Sequence, residues 1–303
     1  MHFRLLIRKS VSAWLEDYAP SMGAAISYYT VFSISPLLLI VIAVAGFLWG
    51  REAVEGELVR QLATLIGEDG ARGVHALVQS ASKPEQGLIA SAVSAVFLLI
   101  GATTVFAELQ NALDRIWRVP EHAKLSGIWT TLRARLLSLG LILGLGFLLS
   151  VSLVFSAAVA ALGHWANQAL PAWEAMLQLA NTGVSLGLSS LLFALIFKLM
   201  PRAQVAWKDV WVGAAVTAVL FEAGKVLIGL YIGKSSITSS FAAAGSLVVL
   251  LVWVYYSAQI FLLGAEFTWV YAHEHGSRRP GAAVRSSHET PGSATARPAD
   301  DPD

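Results

Sequence analysis

The chain has 303 residues, of which 56% are hydrophobic and only 14% charged, with a formal net charge of +1. Soluble domains carry about a quarter of charged residues, so this balance excludes an ordinary soluble domain and indicates a polytopic membrane protein. The chain has no cysteine, which excludes a disulfide framework or a thiolate metal site, and its near-neutral balance gives no general attraction to nucleic acid.

In residues 1–18, Phe3, Ile7, Val11, Trp14 and Tyr18 recur at helical spacing, with Arg4, Arg8 and Lys9 largely off that stripe. The basic residues interrupt the apolar ones, unlike a signal peptide. The pattern predicts an amphipathic helix lying in the membrane interface. From Ala19 to Gly50 no residue is charged. A span needs about 20 apolar residues, so a first transmembrane helix is expected here. Pro36 inside it removes a backbone donor and is expected to kink the helix, with Ser33 and Ser35 beside it to help the freed carbonyl.

Residues 51–86 change character. Glu52, Glu55, Glu57, Glu68, Asp69 and Glu85 make the segment acidic, while Val54, Leu58, Leu62 and Leu65, then Val74, Leu77 and Val78, keep a helical repeat. With Gly67-Glu-Asp-Gly70 as a turn, this reads as a short extracytoplasmic helical hairpin. A second uncharged run covers 87–107. At its end Thr104, Glu108, Asn111 and Arg115 fall on one helical face, either as the lining of a cavity or as a solvated helix end. The third run, 136–162, contains Gly140 and Gly144, a small-xxx-small pair suited to close packing. Residues 163–178 form a connection with Pro171, and Trp165 and Trp173 are candidates for the interface. The fourth run is 177–197, followed by a basic loop with Lys198, Pro201, Arg202 and Lys208.

The fifth run, Trp211 to Tyr231, holds both an acid and a base. Glu222 and Lys225 are helical neighbours, and Ala214, Ala218, Glu222, Lys225 and Gly229 make one side small and polar. Charges at that depth normally face protein or a wet cavity, so this helix is expected at the centre of the bundle. A polar break follows at 231–240. The sixth run, 242–269, places Tyr255, Gln259 and Glu266 on one face. Residues 273–303 collapse into Gly, Ser, Pro, Ala and Arg and are expected to be disordered.

The reading is therefore an all-α polytopic protein with a six-helix transmembrane domain over 19–272. Six spans put both termini on one side. The 1–18 segment, the 108–135 loop, the 198–209 loop and the tail carry 3, 5, 3 and 4 Lys or Arg, against 4, 0 and 1 in the 51–86, 163–178 and 231–243 segments. Positive-inside counting makes both termini cytoplasmic.

Several separated stretches carry a further likeness. They are Asp17-Tyr-Ala-Pro-Ser-Met-Gly-Ala-Ala-Ile-Ser-Tyr-Tyr-Thr-Val-Phe-Ser33 leading to Pro36; Glu108-Leu-Gln-Asn111-Ala-Leu-Asp-Arg-Ile-Trp117; Pro201 with Val205-Ala-Trp207; Glu222-Ala-Gly-Lys225 followed by Tyr231; and Trp253 through Gly264-Ala-Glu266. In order and spacing the chain resembles the YihY/BrkB family of bacterial inner-membrane proteins, from residue 10 to 272. Gly23 departs from that pattern, where alanine is usual. The resemblance implies six transmembrane helices in the cytoplasmic membrane. Members have been described as virulence or serum-resistance factors, as transporters, and under the label ribonuclease BN.

The residues argue against a nuclease, which needs clustered His, Asp and Glu metal ligands. The histidines are His2, His75, His122, His164, His273, His275 and His288; His273-Glu-His275 is the nearest to a ligand pair, at the end of the last run. No Ser-His-Asp or P-loop pattern is present either. The expectation is a non-enzyme without catalytic residue, metal or cofactor, whose partners are membrane lipids and a substrate rather than nucleic acid. The foremost functional reading is a transporter or exporter of a polar or amphiphilic molecule, with Glu108, Asn111, Glu222, Lys225, Tyr255, Gln259 and Glu266 as an intramembrane polar cluster. The alternative is an envelope scaffold in which Glu222–Lys225 fixes helix register. An enzyme acting on lipid or RNA ranks last.

Overall fold

The computed structural model describes residues 2–81, 88–120, 140, 144, 173–234 and 245–279. The third expected span, except that Gly140 and Gly144 are helical, lies outside the described residues, as does most of the 163–178 connection, of the 231–240 break and of the tail. The described residues form seven helices and no strand: α1 (His2–Glu16), α2 (Ala19–Trp49), α3 (Arg51–Ala81), α4 (Leu88–Ile116), α5 (Trp173–Leu199), α6 (Trp207–Lys234) and α7 (Gly245–Glu274). Four stretches among them are long and apolar enough to cross a membrane: Ala19–Phe47, Thr182–Leu199, Trp207–Ile228 and Leu247–Glu274.

Local chemistry sets the boundaries. Tyr18, at φ 56°, turns the chain between α1 and α2, and a proline follows in the first turn of α2, where its missing N–H costs nothing. Gly50, at φ 87°, ends α2 and donates its N–H to the Gly46 carbonyl at 2.9 Å. Helix α2 runs through Pro36 without interruption, and α4 accommodates the proline ring at Gly101, where a Cβ would stand 3.0 Å from Pro36 Cγ. The break expected within 67–70 falls at Gly67, whose φ of 77° and ψ of 167° interrupt α3; glycine adopts that backbone without strain. Val54, Ile66, Val74 and Val78 of α3 share a core with Ile42 and Ala45 of α2 and with Val249, Leu250 and Val254 of α7.

The centre of the bundle is not where the sequence placed it. Among the described helices α7 packs against α1, α2, α3, α4 and α6, whereas α6 meets mainly α5 and α7, with Trp211, Val219, Leu220, Val226 and Leu227 exposed. The reason is the number of usable faces. Helix α6 has one narrow side, and its bulky remainder suits lipid. Helix α7 has two sides that admit a neighbour. Its glycine–threonine side meets α6 reciprocally: a Cβ on Gly213 would overlap Thr268 Oγ1, and one on Gly264 would overlap Thr217 Oγ1. Each threonine hydroxyl donates back within its own helix at 2.7 Å, Thr217 to the Gly213 carbonyl and Thr268 to the Gly264 carbonyl. The outer side chains therefore present satisfied surfaces, and the two backbones close on each other. Phe193 and Phe197 of α5 wedge against Phe221 and Phe261, with centroids 5.6 Å and 5.3 Å apart.

Helix α1 also sits differently from its expected stripe. Leu6, Ser10 and Ala13 are its buried positions, and Leu6 and Ala13 pack with Phe267 and Val270 of α7. Ile7, Val11 and Tyr18 are exposed, with Leu5 and Leu15. The contact with α7 takes the small-residue side of α1 and leaves its bulkier apolar side, flanked by Arg4 and Arg8, facing out.

Gly213→Ala is expected to destabilise the protein by about 1–3 kcal/mol, as overpacking does. Because the Thr268 Cβ lies only 2.7 Å from the added atom, relief requires removing that Cβ as well. Gly213→Ala combined with Thr268→Gly should regain part of the loss in a thermal-unfolding double-mutant cycle; strictly additive losses would show that this contact is not tight.

Candidate functional site

The expected polar residues fall into separate places. In α6, Lys225 Nζ lies 2.7 Å from Glu222 Oε2, and Ser185 of α5 donates to Glu222 Oε1 at 3.3 Å. The two side chains keep 28% and 27% of their surface exposed. The pair thus sits on the α5 flank of the bundle, between the outward Val219 and Val226. In α4, Thr104 donates to the Ile100 carbonyl at 2.7 Å, Glu108 is half-buried, and Asn111 and Arg115 are exposed. Arg115 lies over the Tyr18 ring at 5.6 Å, so this stripe faces the α1–α2 turn and the outside.

The α7 stripe divides. Tyr255 points outward. Gln259 reaches the start of α2, donating Nε2 to the Pro20 carbonyl at 3.5 Å. Its amide occupies the space a Cβ on Gly23 would need, which accounts for glycine at that departure from the resembled pattern. Glu266 is 0% exposed, and the charged groups that act on it are Asp17, Arg118 and Glu16. The structure therefore brings Gln259 and Glu266 to the α1–α2 junction and Glu222–Lys225 to α5. Among the described residues no hydrogen bond or ion pair joins these two places, or either of them to Glu108.

A set of polar contacts that the helical stripes did not reveal ties one end of the bundle together. Asp114 is 1% exposed. Its Oδ1 accepts the Arg202 backbone N–H at 2.8 Å and its Oδ2 accepts Arg202 Nη1 at 2.9 Å. Gln110 donates to the Met200 carbonyl at 2.8 Å, and Lys198 to the Val205 carbonyl at 2.5 Å. Asp209, also buried, accepts the backbone N–H and, at 2.6 Å, the hydroxyl of Ser277. Arg278 donates to the Gln204 carbonyl at 2.7 Å and lies 5.1 Å over the Trp117 ring. The 198–209 loop is thereby pinned to the ends of α4 and α7. A signal for Asp114 was available: it stands directly between Leu113 and the Ile116–Trp117 pair, off the polar stripe, so its carboxylate had to be buried.

Beside this collar, α1 and the end of α7 enclose an open groove of about 320 Å³. Lys9, Glu16, Arg118 and Glu274 supply its charges, and His273 lines it as well. Lys9 and Glu274 form an ion pair across it, and Arg118 stacks 4.5 Å over Trp269, a cation–π contact. His273 bonds the Trp269 carbonyl at 2.8 Å, while the His275 ring stacks on Tyr271, so the two do not converge as ligands. Among the described residues no group of three or more His, Asp or Glu side chains is placed to hold a metal ion.

The sequence profile of the family described as Virulence factor BrkB matches residues 10–289. A UPF0761 membrane protein of Pseudomonas aeruginosa is 30% identical over 261 residues, which cover 83% of this chain and 59% of the relative. One from Ralstonia nicotianae is 29% identical over 272 residues, covering 86% and 57%. One from Vibrio parahaemolyticus is 29% identical over 252 residues, covering 80% and 74%. The chain thus spans less than two thirds of the length of the Pseudomonas and Ralstonia relatives. No solved structure matches it.

Arg202→Leu should cost about 1–3 kcal/mol, because it removes a charged side-chain donor to the buried Asp114 while leaving the backbone bond. Adding Asp114→Asn to that variant should recover part of the loss in thermal unfolding. A single variant as stable as wild type would show that the pair does not hold the loop.

Proposed function

The chain belongs to the Virulence factor BrkB family, and from that premise we propose that it is a six-span protein of the bacterial cytoplasmic membrane that moves a polar or amphiphilic molecule across it. Four described stretches suit a membrane; α4 and the 136–162 run complete the six. The excess of Lys and Arg in the 1–18, 108–135, 198–209 and tail segments puts both termini and the collar on the cytoplasmic side.

One observation carries the transport reading. Glu222 and Lys225 lie within the apolar stretch Trp207–Ile228, yet each keeps more than a quarter of its side chain exposed. Ionised groups in a span cost roughly 2.5–3.5 kcal/mol each on insertion scales. A pair kept only to fix helix register would recover most of that cost by being enclosed. This one opens along α5, beside lipid-facing residues, with one cation and one anion displayed to anything that passes. A zwitterionic or anionic headgroup is the chemistry that would exchange with such a pair. The scaffold reading has one observation in its favour: the two charges satisfy each other at i and i+3. Neither reading invokes catalysis or nucleic acid.

Reconstituted into vesicles, wild-type protein should accelerate transbilayer movement of labelled headgroup-bearing lipids or polar solutes. Glu222→Gln and Lys225→Met should each reduce that flux by about tenfold or more with unchanged insertion and folding. Wild-type flux in both variants would rule out transport through this pair and leave the scaffold reading.

A further inference from the structure

The groups at the α1–α2 junction are not explained by the Glu222–Lys225 reading and stand independently of it. Glu266 is 0% exposed, and neither of its oxygens has a hydrogen-bond donor. Asp17, in the turn between α1 and α2, buries an Oδ2 that is also without a donor. Asp17 is the charged group that acts most strongly on Glu266. The buried indole N–H groups of Trp14 and Trp117 donate to neither. Buried carboxylates in proteins are paired or coordinate a cation, and two sharing one site cannot both stay ionised without one. Arg118 acts on Glu266 as well, but its guanidinium stacks on Trp269 in the groove rather than bonding either carboxyl. Glu16, which also lines the groove, adds negative charge.

We propose that Asp17 and Glu266 form a binding site for one small hard cation, a proton or an alkali-metal ion, reached from the cytoplasmic groove between α1 and α7. Four features support it. The two carboxyls come from different elements, so an occupant bound by both would link the α1–α2 turn to the central helix. Arg118 and Glu16 belong both to the groove and to the surroundings of Glu266, so the aqueous side has a charged path to the site. Gln259, on the same face of α7, has a buried Oε1 without a donor and adds acceptor capacity further along. Three carboxylates, Asp17, Glu16 and Glu266, outnumber the one guanidinium of Arg118 around the site, which favours a cation as the occupant.

The test uses the full chain in lipid nanodiscs. N,N′-dicyclohexylcarbodiimide reacts with protonated carboxyls in apolar surroundings, and peptide mapping by mass spectrometry locates the adduct. Glu266 should be labelled, and the labelling should be lost on raising the pH. Sodium or lithium at fixed pH should suppress it if the occupant is an alkali ion and leave it unchanged if the occupant is a proton. Asp17→Asn should displace whichever dependence is seen, and Glu266→Gln should abolish the adduct. In parallel, the unfolding temperature should respond to pH or to alkali ion in wild type and lose that response in the Asp17→Asn/Glu266→Gln double variant. Labelling that ignores both pH and salt, profiles unaltered by Asp17→Asn, or an unreactive Glu266 in a protein whose unfolding temperature is equally indifferent would overturn the proposal.

Discussion

Lipid tails are as apolar as leucine, so burying leucine gives membrane helices little reason to associate, and close packing with polar contacts must supply it. In this bundle the requirement falls on α7. Gly264 and Thr268 let it approach Gly213 and Thr217 of α6 until a single added carbon on either glycine would overlap the opposing hydroxyl. The opposite face of α7 carries Gln259 and Glu266 against the beginning of α2 and the turn before it. A helix held on two sides in this way becomes the axis on which α1, α2, α3 and α4 also rest. The depth at which Glu266 is hidden follows from that position.

At one end the same helix is locked by charge. Asp114–Arg202, Asp209–Ser277 and Arg278–Trp117 connect three chain segments far apart in sequence. Their acceptors are buried and filled, which makes each contact specific in geometry and costly to leave half made. The 198–209 loop, with its Lys198, Arg202 and Lys208, thus acts as a clamp that fastens α4 to α7.

Much of this was legible in the residues. Apolar runs gave α2 and the apolar parts of α5, α6 and α7, because length and a low share of charge suffice to mark a stretch that suits a membrane. Gly67 was legible as a break because its neighbours are turn formers. The resemblance carried by Asp17, Glu108–Trp117 and Gly264–Glu266 gave the family. What was not legible was which face of each helix meets which partner. Helical spacing groups Tyr255, Gln259 and Glu266, but only the packing around α7 separates an outward Tyr255 from an enclosed Glu266. The same spacing grouped Ile7 and Val11 with Trp14 on α1, while contact with α7 selected Leu6, Ser10 and Ala13. Asp114 lies off the polar stripe of α4, and a charge on an apolar face is the one that must find a partner, here Arg202.

The charged groups of the bundle therefore differ in what they do for the fold. Asp114 and Asp209 have their donors, and removing those donors leaves an unmet acceptor, so they hold geometry. Glu222 and Lys225 bond each other, Glu222 accepts from Ser185, and both remain partly open; among the described residues they tie down no loop or helix end. Glu266 and Asp17 are more extreme, since burial without a donor subtracts from stability and returns no contact. A group that costs stability and fastens nothing is a place to look for exchange with something outside the chain. By that argument the 198–209 collar is framework, and the α5–α6 flank and the junction beneath the α1–α7 groove are where such exchange is to be tested.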